Sequence, residues 1–411
     1  ALWLLQDFCR NYFPLGGFSW SSLAYSQGEM LTLIQIADLT GPYGVTFLIL
    51  FANAFFGEVV LFLTRRRIDS PGRLAWIFVA LIGPSILYGL CQQRRIPRLF
   101  EGLPEKKISL IQGNIPQEEK WLSENVEKII GRQTELSLEA ERDSRPDLII
   151  WPEAAFTAVI PPDAKSLDVV DSLRTPLLMG AVSFEGRLPD DWPPPAGSDF
   201  RLYNSAWVVR PRGILMDVYR KNHLVPMGEY IPMKKVFFFL EKIVPGFADF
   251  TPGDGYPLLS AAGMKAGVTI CFEDLFPEIS RRLVRAGADI LVNMTNDAWY
   301  ERSSAVLQHL EFSRFRAIEN RRYLARATNT GVTAVFDPTG REVARAPLFQ
   351  EAVLPAVVKL GSPKTFYARW GDVFVAGLMV LLFLFATLPA PRSLRRSSGT
   401  DLVDRRRSSG R

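Results

Sequence analysis

Between Thr40 and Leu63 runs an apolar stretch with Glu58 as its only ionised residue. About 20 residues of helix cross the hydrocarbon core of a bilayer, so this stretch is long enough to span one. A segment that crosses hydrocarbon assigns a side of the membrane to everything before and after it, and no other feature restricts the chain so strongly. Two further stretches read as spans: Leu74 to Cys91, with Pro84 inside it, and Trp370 to Leu388, with Asp372 near its start. Ala1 to Phe8 reads as the tail of a fourth. The chain opens inside that apolar segment without an initiator Met, so earlier helices are expected to be missing. It has neither the basic start nor the small-residue cleavage site of a signal peptide.

Direction follows from arginine. The loop Thr64 to Arg73 carries Arg65, Arg66, Arg67 and Arg73, which places it in the cytoplasm. Residues 1–91 are then a transmembrane helical region and residues 92–369 an extracytoplasmic domain. Residues 370–388 return to the inside, and residues 389–411 form a disordered basic tail with Arg392, Arg395, Arg396, Arg405, Arg406, Arg407 and Arg411. Arg94, Arg95 and Arg98 would lie outside and count against this orientation. The net charge of +5 sits mostly in these clusters. They suit membrane topology better than a nucleic-acid surface, and no nucleic-acid-binding motif is present. Three cysteines without paired spacing argue against a disulfide scaffold. With only two histidines, His223 and His309, no metal site is expected, and no cofactor.

Residues 106 to 360 alternate strand and helix signals. Lys107–Gln112, Asp147–Trp151, Pro176–Phe184, Met264–Cys271 and Asp289–Asn293 read as strands. Tyr203–Val209 and Ile214–Tyr219 flank Pro211-Arg212-Gly213 as a hairpin, and Ala334–Phe336 and Glu342–Ala344 flank a second turn. Glu118 to Asp143 reads as one helix, Pro277 to Ala286 as another opened by its proline, and Ser304 to Ala317 is helical. The mixture predicts a layered α/β domain.

Three motifs put polar residues at the ends of apolar strands. Glu153 follows Leu148-Ile149-Ile150-Trp151-Pro152. A carboxylate leaving a buried strand is partly desolvated, the setting of a general base, and equally that of a capping acid. Lys221 follows a strand and precedes Asn222 to Glu229. It is either a fixed ammonium for a developing oxyanion, held by Glu229, or a solvated surface lysine. Cys271 sits in Gly267-Val268-Thr269-Ile270-Cys271-Phe272-Glu273-Asp274, the one thiol inside the large polar region. It is a buried structural cysteine or the nucleophile of an acyl-transfer enzyme, since a strand–Cys–helix turn aims the sulfur out of a sheet. N–H groups at such a helix start would lower the thiol pKa, with the N–H of Phe272 as a natural oxyanion donor.

Together these motifs resemble the Glu-Lys-Cys triad of the carbon–nitrogen hydrolase (nitrilase) superfamily, over about residues 106 to 360. The likeness extends to that superfamily's membrane-anchored acyltransferase branch. It rests on Gln112 to Gln117 with Trp121, Lys221 to Glu229, Asn296-Asp297-Ala298-Trp299, Pro14 to Trp20 and Gly41 to Val45. The resemblance implies an αββα nitrilase-like sandwich domain inserted between transmembrane helices, about eight of which form the whole enzyme, so that roughly the first three are missing here. It implies Glu153 as base, Lys221 as oxyanion stabiliser and Cys271 as nucleophile. Glu229 and Glu273 match supporting acids, and Trp121, Trp299 and Asn296 match positions lining the site. Where relatives often carry a tyrosine after the cysteine, this chain has Phe272. The implied reaction moves an acyl chain from a phospholipid, through a cysteine thioester, to the N-terminal amine of a diacylated apolipoprotein. The implied setting is a monomer in the bilayer of a bacterial inner membrane, multi-pass, with its catalytic domain on the periplasmic side and no nucleic-acid partner.

The aromatic and basic stretch Lys234 to Val244 reads as an arm dipping into the bilayer surface, or as a core helix. Three other functions compete. A membrane-anchored nitrilase-type amidohydrolase acting on a small amide shares the triad. A papain-like enzyme would use His223 or His309. A receptor or scaffold would leave the coincidence of Glu153, Lys221 and Cys271 without a purpose.

Overall fold

The computed structural model describes residues 2–66, 71–187, 189, 198–232, 249–361 and 363–387. Arg67, the stretch from Lys234 to Val244 and the basic tail lie outside the described residues, as does most of the Pro-rich segment before Asp199.

The chain opens with α1 (Leu2–Cys9), α2 (Leu31–Ile34), α3 (Ala37–Thr40), α4 (Pro42–Leu63) and α5 (Gly72–Leu99). α4 and α5 are long and apolar enough to cross a membrane. Pro42 starts α4, where its missing N–H breaks no helical bond. Only the first turns of α4, Pro42 to Leu48, are buried, while Phe56, Val60 and Leu63 face outward. α5 is the mirror case: Trp76 and Val79 are exposed, and Gly89, Gln92 and Ile96 are buried. At Gly89 the helix crosses α2 so closely that a Cβ would stand 1.8 Å from the carbonyl oxygen of Thr32. This crossing carries α5 past its expected end at Cys91 to Leu99.

Among the described residues thirteen strands form two sheets. The first contains β1 (Glu105–Gln112), β2 (Leu148–Ile150), β3 (Phe156–Ile160), β4 (Leu177–Glu185), β5 (Arg201–Arg210), β6 (Ile214–Arg220) and β13 (Ala352–Lys359), in the order β13-β1-β2-β4-β5-β6, with β3 on β4. The second contains β7 (Leu259–Ala261), β8 (Met264–Ile270), β9 (Ile290–Thr295), β10 (Leu324–Thr328), β11 (Ala334–Phe336) and β12 (Glu342–Arg345), ordered β12-β11-β10-β9-β8-β7. β8, β9 and β10 run parallel. The sheets meet through β1 with β10, β5 with β8 and β6 with β7. Because side chains alternate along a strand, Ile108 and Leu110 join Val268, Ile270 and Val292 in the central core. Ile111 and Ile149 turn the other way, toward Ile130 and Leu136.

Helices α6 (Gln117–Lys120), α7 (Val126–Asp143), α8 (Pro277–Ala286), α9 (Ala305–Asn320), α10 (Phe366–Trp370) and α11 (Val373–Thr387) complete the chain. α7 lies on the first sheet, and α8 and α9 pack on the second. The single helix expected over Glu118 to Asp143 is broken. α6 stops at Lys120, and Asn125 donates its Nδ2 to the Glu119 carbonyl at 3.1 Å, satisfying the helix end. The break lets Lys120 turn inward while Trp121 stays half exposed. The stretch expected to span from Trp370 to Leu388 is also divided, because Gly371 takes φ +64 and separates α10 from α11. β3, β7, β10 and β13 were not anticipated. β10 is buried along its whole length, Arg326 included, so it shows no alternation.

The helical region is bolted to α9. Arg321 donates to Asp38 at 2.7 Å and to Gln35 at 2.6 Å, and Arg316 donates to Tyr25 at 2.9 Å.

Candidate active site

Three loops leave strand ends and meet. β2 and β3 lie along one edge of β4, and between them the chain steps out of the sheet over Trp151 to Ala155. Gly180 on β4 makes this possible, since a Cβ there would stand 2.7 Å from the Glu153 Cα. Glu153 occupies the step. Its Oε1 accepts from Asn204 Nδ2 at 2.7 Å and its Oε2 from the Asn296 N–H at 2.9 Å. Both lone-pair faces are thereby directed.

Lys221 comes just after β6 and is 1% exposed. Its Nζ donates to Glu229 Oε1 at 2.9 Å and lies 3.7 Å from Glu153 Oε1. Burial alone would favour the neutral amine. Glu229 and then Glu153 outweigh it, so the ammonium is held well above its ordinary pKa. Glu229 is fixed in turn by Asn204 Nδ2 at 2.9 Å and the Val225 N–H at 2.8 Å.

Cys271 ends β8 and opens a five-residue 3-10 turn, Cys271–Leu275. Its φ is +50, a left-handed conformation that costs a non-glycine residue about 1–2 kcal/mol. Glu273 holds the turn. One of its oxygens accepts from the Ile270 N–H at 2.9 Å, the other from Tyr219 Oη at 2.6 Å and the Asn222 and His223 N–H groups at 2.8 and 3.0 Å. A single buried carboxylate thus ties the Cys271 turn to the Lys221 loop. Glu273→Ala leaves these donors unpaired and is expected to cost on the order of 3 kcal/mol. A thermal melt in detergent checks this, and an unchanged Tm would remove Glu273 from that role.

The helix start was expected to lower the Cys271 pKa. The opposite holds: burial pushes the thiol well up, the charge of Glu153 adds to it, and Lys221 only partly opposes them. A short 3-10 turn supplies too small a dipole to offset desolvation.

Glu153, Lys221 and Cys271 line one cavity of about 320 Å³, with Asn204, Glu229 and Asn296. Trp121 and Trp299 border it, 49% and 70% exposed, at its mouth. Glu273 and Phe272 do not line it. The Phe272 ring instead stacks 6.2 Å from Phe18 of the helical region and meets Phe276 edge-on at 5.2 Å. Ser19 donates to the Leu275 carbonyl at 3.1 Å, so the segment before α2 braces the cysteine turn directly. Neither histidine lines the cavity. His223 faces Phe276, and burial holds it down at about 4. His309 is bound to Asp297 at 2.9 Å, beneath Trp20. Asn204, Gly180 and Lys120 escaped the sequence reading. Asn204 was hidden inside a strand, Gly180 carries no side chain, and Lys120 lay within the stretch read as one helix. Among the described residues no group of three or more His, Cys, Asp or Glu side chains could hold a metal.

The profile of the Carbon-nitrogen hydrolase family matches residues 107–364, a range that contains both sheets apart from the first two residues of β1, and every residue lining the cavity. The class is therefore a nitrilase-superfamily α/β fold. A second profile, the Apolipoprotein N-acyltransferase N-terminal domain, matches residues 1–55. An apolipoprotein N-acyltransferase from Geobacter metallireducens is 39% identical over 388 residues, covering 93% of this chain and 73% of the relative. One from Chlorobaculum tepidum is 32% identical, covering 91% and 74%. Among solved structures, a Saccharomyces cerevisiae member of the nitrilase superfamily is 19% identical with a TM-score of 0.47, covering 71% of this chain and 97% of that one. The chain belongs to the apolipoprotein N-acyltransferase family.

Proposed function

We propose that this chain is an acyltransferase that moves an acyl group from a phospholipid to the α-amine of a diacylglyceryl-cysteine lipoprotein, with Cys271 as nucleophile, Glu153 as base and Lys221 as oxyanion partner. The observation that carries the reading is one cavity holding a buried thiol, a carboxylate with both oxygens directed, and an ammonium fixed between two carboxylates. Glu153 takes the Cys271 proton as sulfur attacks the ester carbonyl. Negative charge develops on that oxygen, against the Lys221 ammonium that lines the cavity. The C–O bond breaks, and Glu153 returns its proton to the departing lysophospholipid oxygen. The neutral amine then attacks the thioester, Glu153 accepts its proton, and the C–S bond breaks. The sulfur recovers a proton as the amide leaves. A cavity bordered by two tryptophans limits water, which would otherwise hydrolyse the thioester.

We read the two sheets and their helices as an αββα sandwich held between membrane helices. Support comes from α4 and α5, whose buried ends adjoin the domain and whose apolar surfaces elsewhere are open. The facing ends of the two helices, at Leu63 and Trp76, are exposed. An arginine-rich loop inside and a catalytic domain outside the cytoplasmic membrane fit that arrangement.

The test is intact-mass analysis after mixing with phospholipid and then with a diacylated lipopeptide. The expected sequence is a gain of one acyl mass on the protein, followed by its loss and appearance on the peptide. A gain that water alone discharges, with no acylated peptide, would favour a hydrolase. The Cys–His alternative is tested by His223→Gln. That variant is expected to keep activity within about threefold, because His223 does not line the cavity and packs on Phe276, out of reach of the proton to be moved. A loss of several hundredfold would make the histidine the base.

A further inference from the structure

A second lysine reaches the catalytic turn. Lys120 is 1% exposed, and its Nζ donates to the backbone carbonyl of Glu153 at 3.0 Å. Among the described residues no carboxylate lies within 4.0 Å of it. A buried ammonium whose bonded acceptor is a neutral carbonyl is expensive, because no ion pair offsets its lost hydration. The acceptor it uses belongs to the residue whose carboxylate faces the thiol. The following residue, Ala154, holds φ +48, so this is also a strained turn that needs an outside tether.

We infer that Lys120 is a positioning residue for acyl transfer: its ammonium, bonded to the Glu153 carbonyl, fixes the base against Cys271 and adds positive charge behind the developing thiolate. The inference rests on the acyltransferase reading above. The groups that face Lys120 are Glu153, from the turn after β2, and Cys271, from the turn after β8. Lys221 meets the Glu153 carboxylate from the end of β6. On its own helix Glu118 and Glu119 are exposed, and the Trp121 ring lies 5.8 Å from the Nζ. Burial lowers the Lys120 pKa to about 8, with Glu153 and Cys271 opposing that shift. The charge is therefore present at pH 7 and lost as pH rises through about 8, which weakens the tether on the alkaline side.

The experiment measures the single-turnover rate of Cys271 acylation by phospholipid in mixed detergent micelles between pH 6 and pH 10, by intact mass, for wild type, Lys120→Met and Lys120→Arg. Lys120→Met is expected to acylate about tenfold or more slowly, without the alkaline limb that wild type shows near pH 8. Lys120→Arg is expected to recover part of the rate and to move that limb upward, because guanidinium stays charged. Lys120→Met acylating at the wild-type rate with the limb intact overturns the inference. If Lys120→Met has no melting transition, Lys120→Arg decides alone, and a limb at the wild-type position overturns it. Alkylation of Cys271 by iodoacetamide, located by peptide mass, repeats the comparison without lipid. Slower alkylation in Lys120→Met at pH 8, with no acylation of wild type, would keep Lys120 and discard the phospholipid donor. Equal alkylation together with normal wild-type acylation would discard Lys120 and keep the donor.

Discussion

Cys271→Ala is expected to abolish both the acyl adduct and transfer to peptide, while leaving the fold almost untouched. Wild type mixed with phospholipid should gain the mass of one acyl chain, located on Cys271 by peptide mapping. The variant should gain nothing. Shortening the buried CH2SH side chain to CH3 removes one sulfur from a cavity wall and costs roughly 1 kcal/mol, so the melting transition should shift by only a few degrees. Alanine at φ +50 bears about the same strain as cysteine, and the Glu273 contacts to Ile270, Tyr219, Asn222 and His223 do not involve the sulfur. A stable acyl group found instead on exposed Cys9 or Cys91 would refute the assignment.

Glu153→Gln should lower the acylation rate by about 10²–10⁴, the range of a lost general base. Glutamine keeps the size but has a single acceptor oxygen, so it keeps the bond from Asn204 or the one from the Asn296 N–H and loses the other. The informative part is the sign of a second measurement. Burial is the first cause of the raised Cys271 pKa, and the charge of Glu153 is the second. Removing that charge should move the thiol's titration midpoint down, so at a given pH above neutrality more thiolate is present. The variant should therefore hold more of the nucleophilic form and still acylate far more slowly. That combination separates proton transfer from mere ionisation. If acylation and thiolate fraction both rose, Glu153 would be a brake on the thiol and not its base.

The buried acid between the loops explains how such a site stays assembled. Cys271 and Ala154 both sit at positive φ, at about 1–3 kcal/mol each. Glu273, Lys120, Asn204 and Gly180 supply the contacts that hold those conformations. Strain at the reacting turn is thus offset by hydrogen bonds one residue further out. The helical region contributes as well, through Phe18 against Phe272 and Ser19 against the Leu275 carbonyl.

Much of this was legible from the chain alone. An apolar run long enough to cross a bilayer, the proline that opens α8, and most of the strands all follow from local chemistry, which reads in a window of neighbouring residues. Glu153, Lys221 and Cys271 could be singled out for the same reason: each is a polar residue at the end of an apolar strand. Their meeting could not be read that way, since 118 positions separate Glu153 from Cys271 and only the pairing of the two sheets closes that distance. The direction of the thiol's pKa was likewise decided by tertiary structure, because burial and the charge of Glu153 act through space. So was the inward turn of Lys120, where a break in the stretch read as one helix buried a charge. Periodicity and composition record what each segment prefers by itself. The dielectric around a side chain, and the charges it faces, exist only once distant segments have packed.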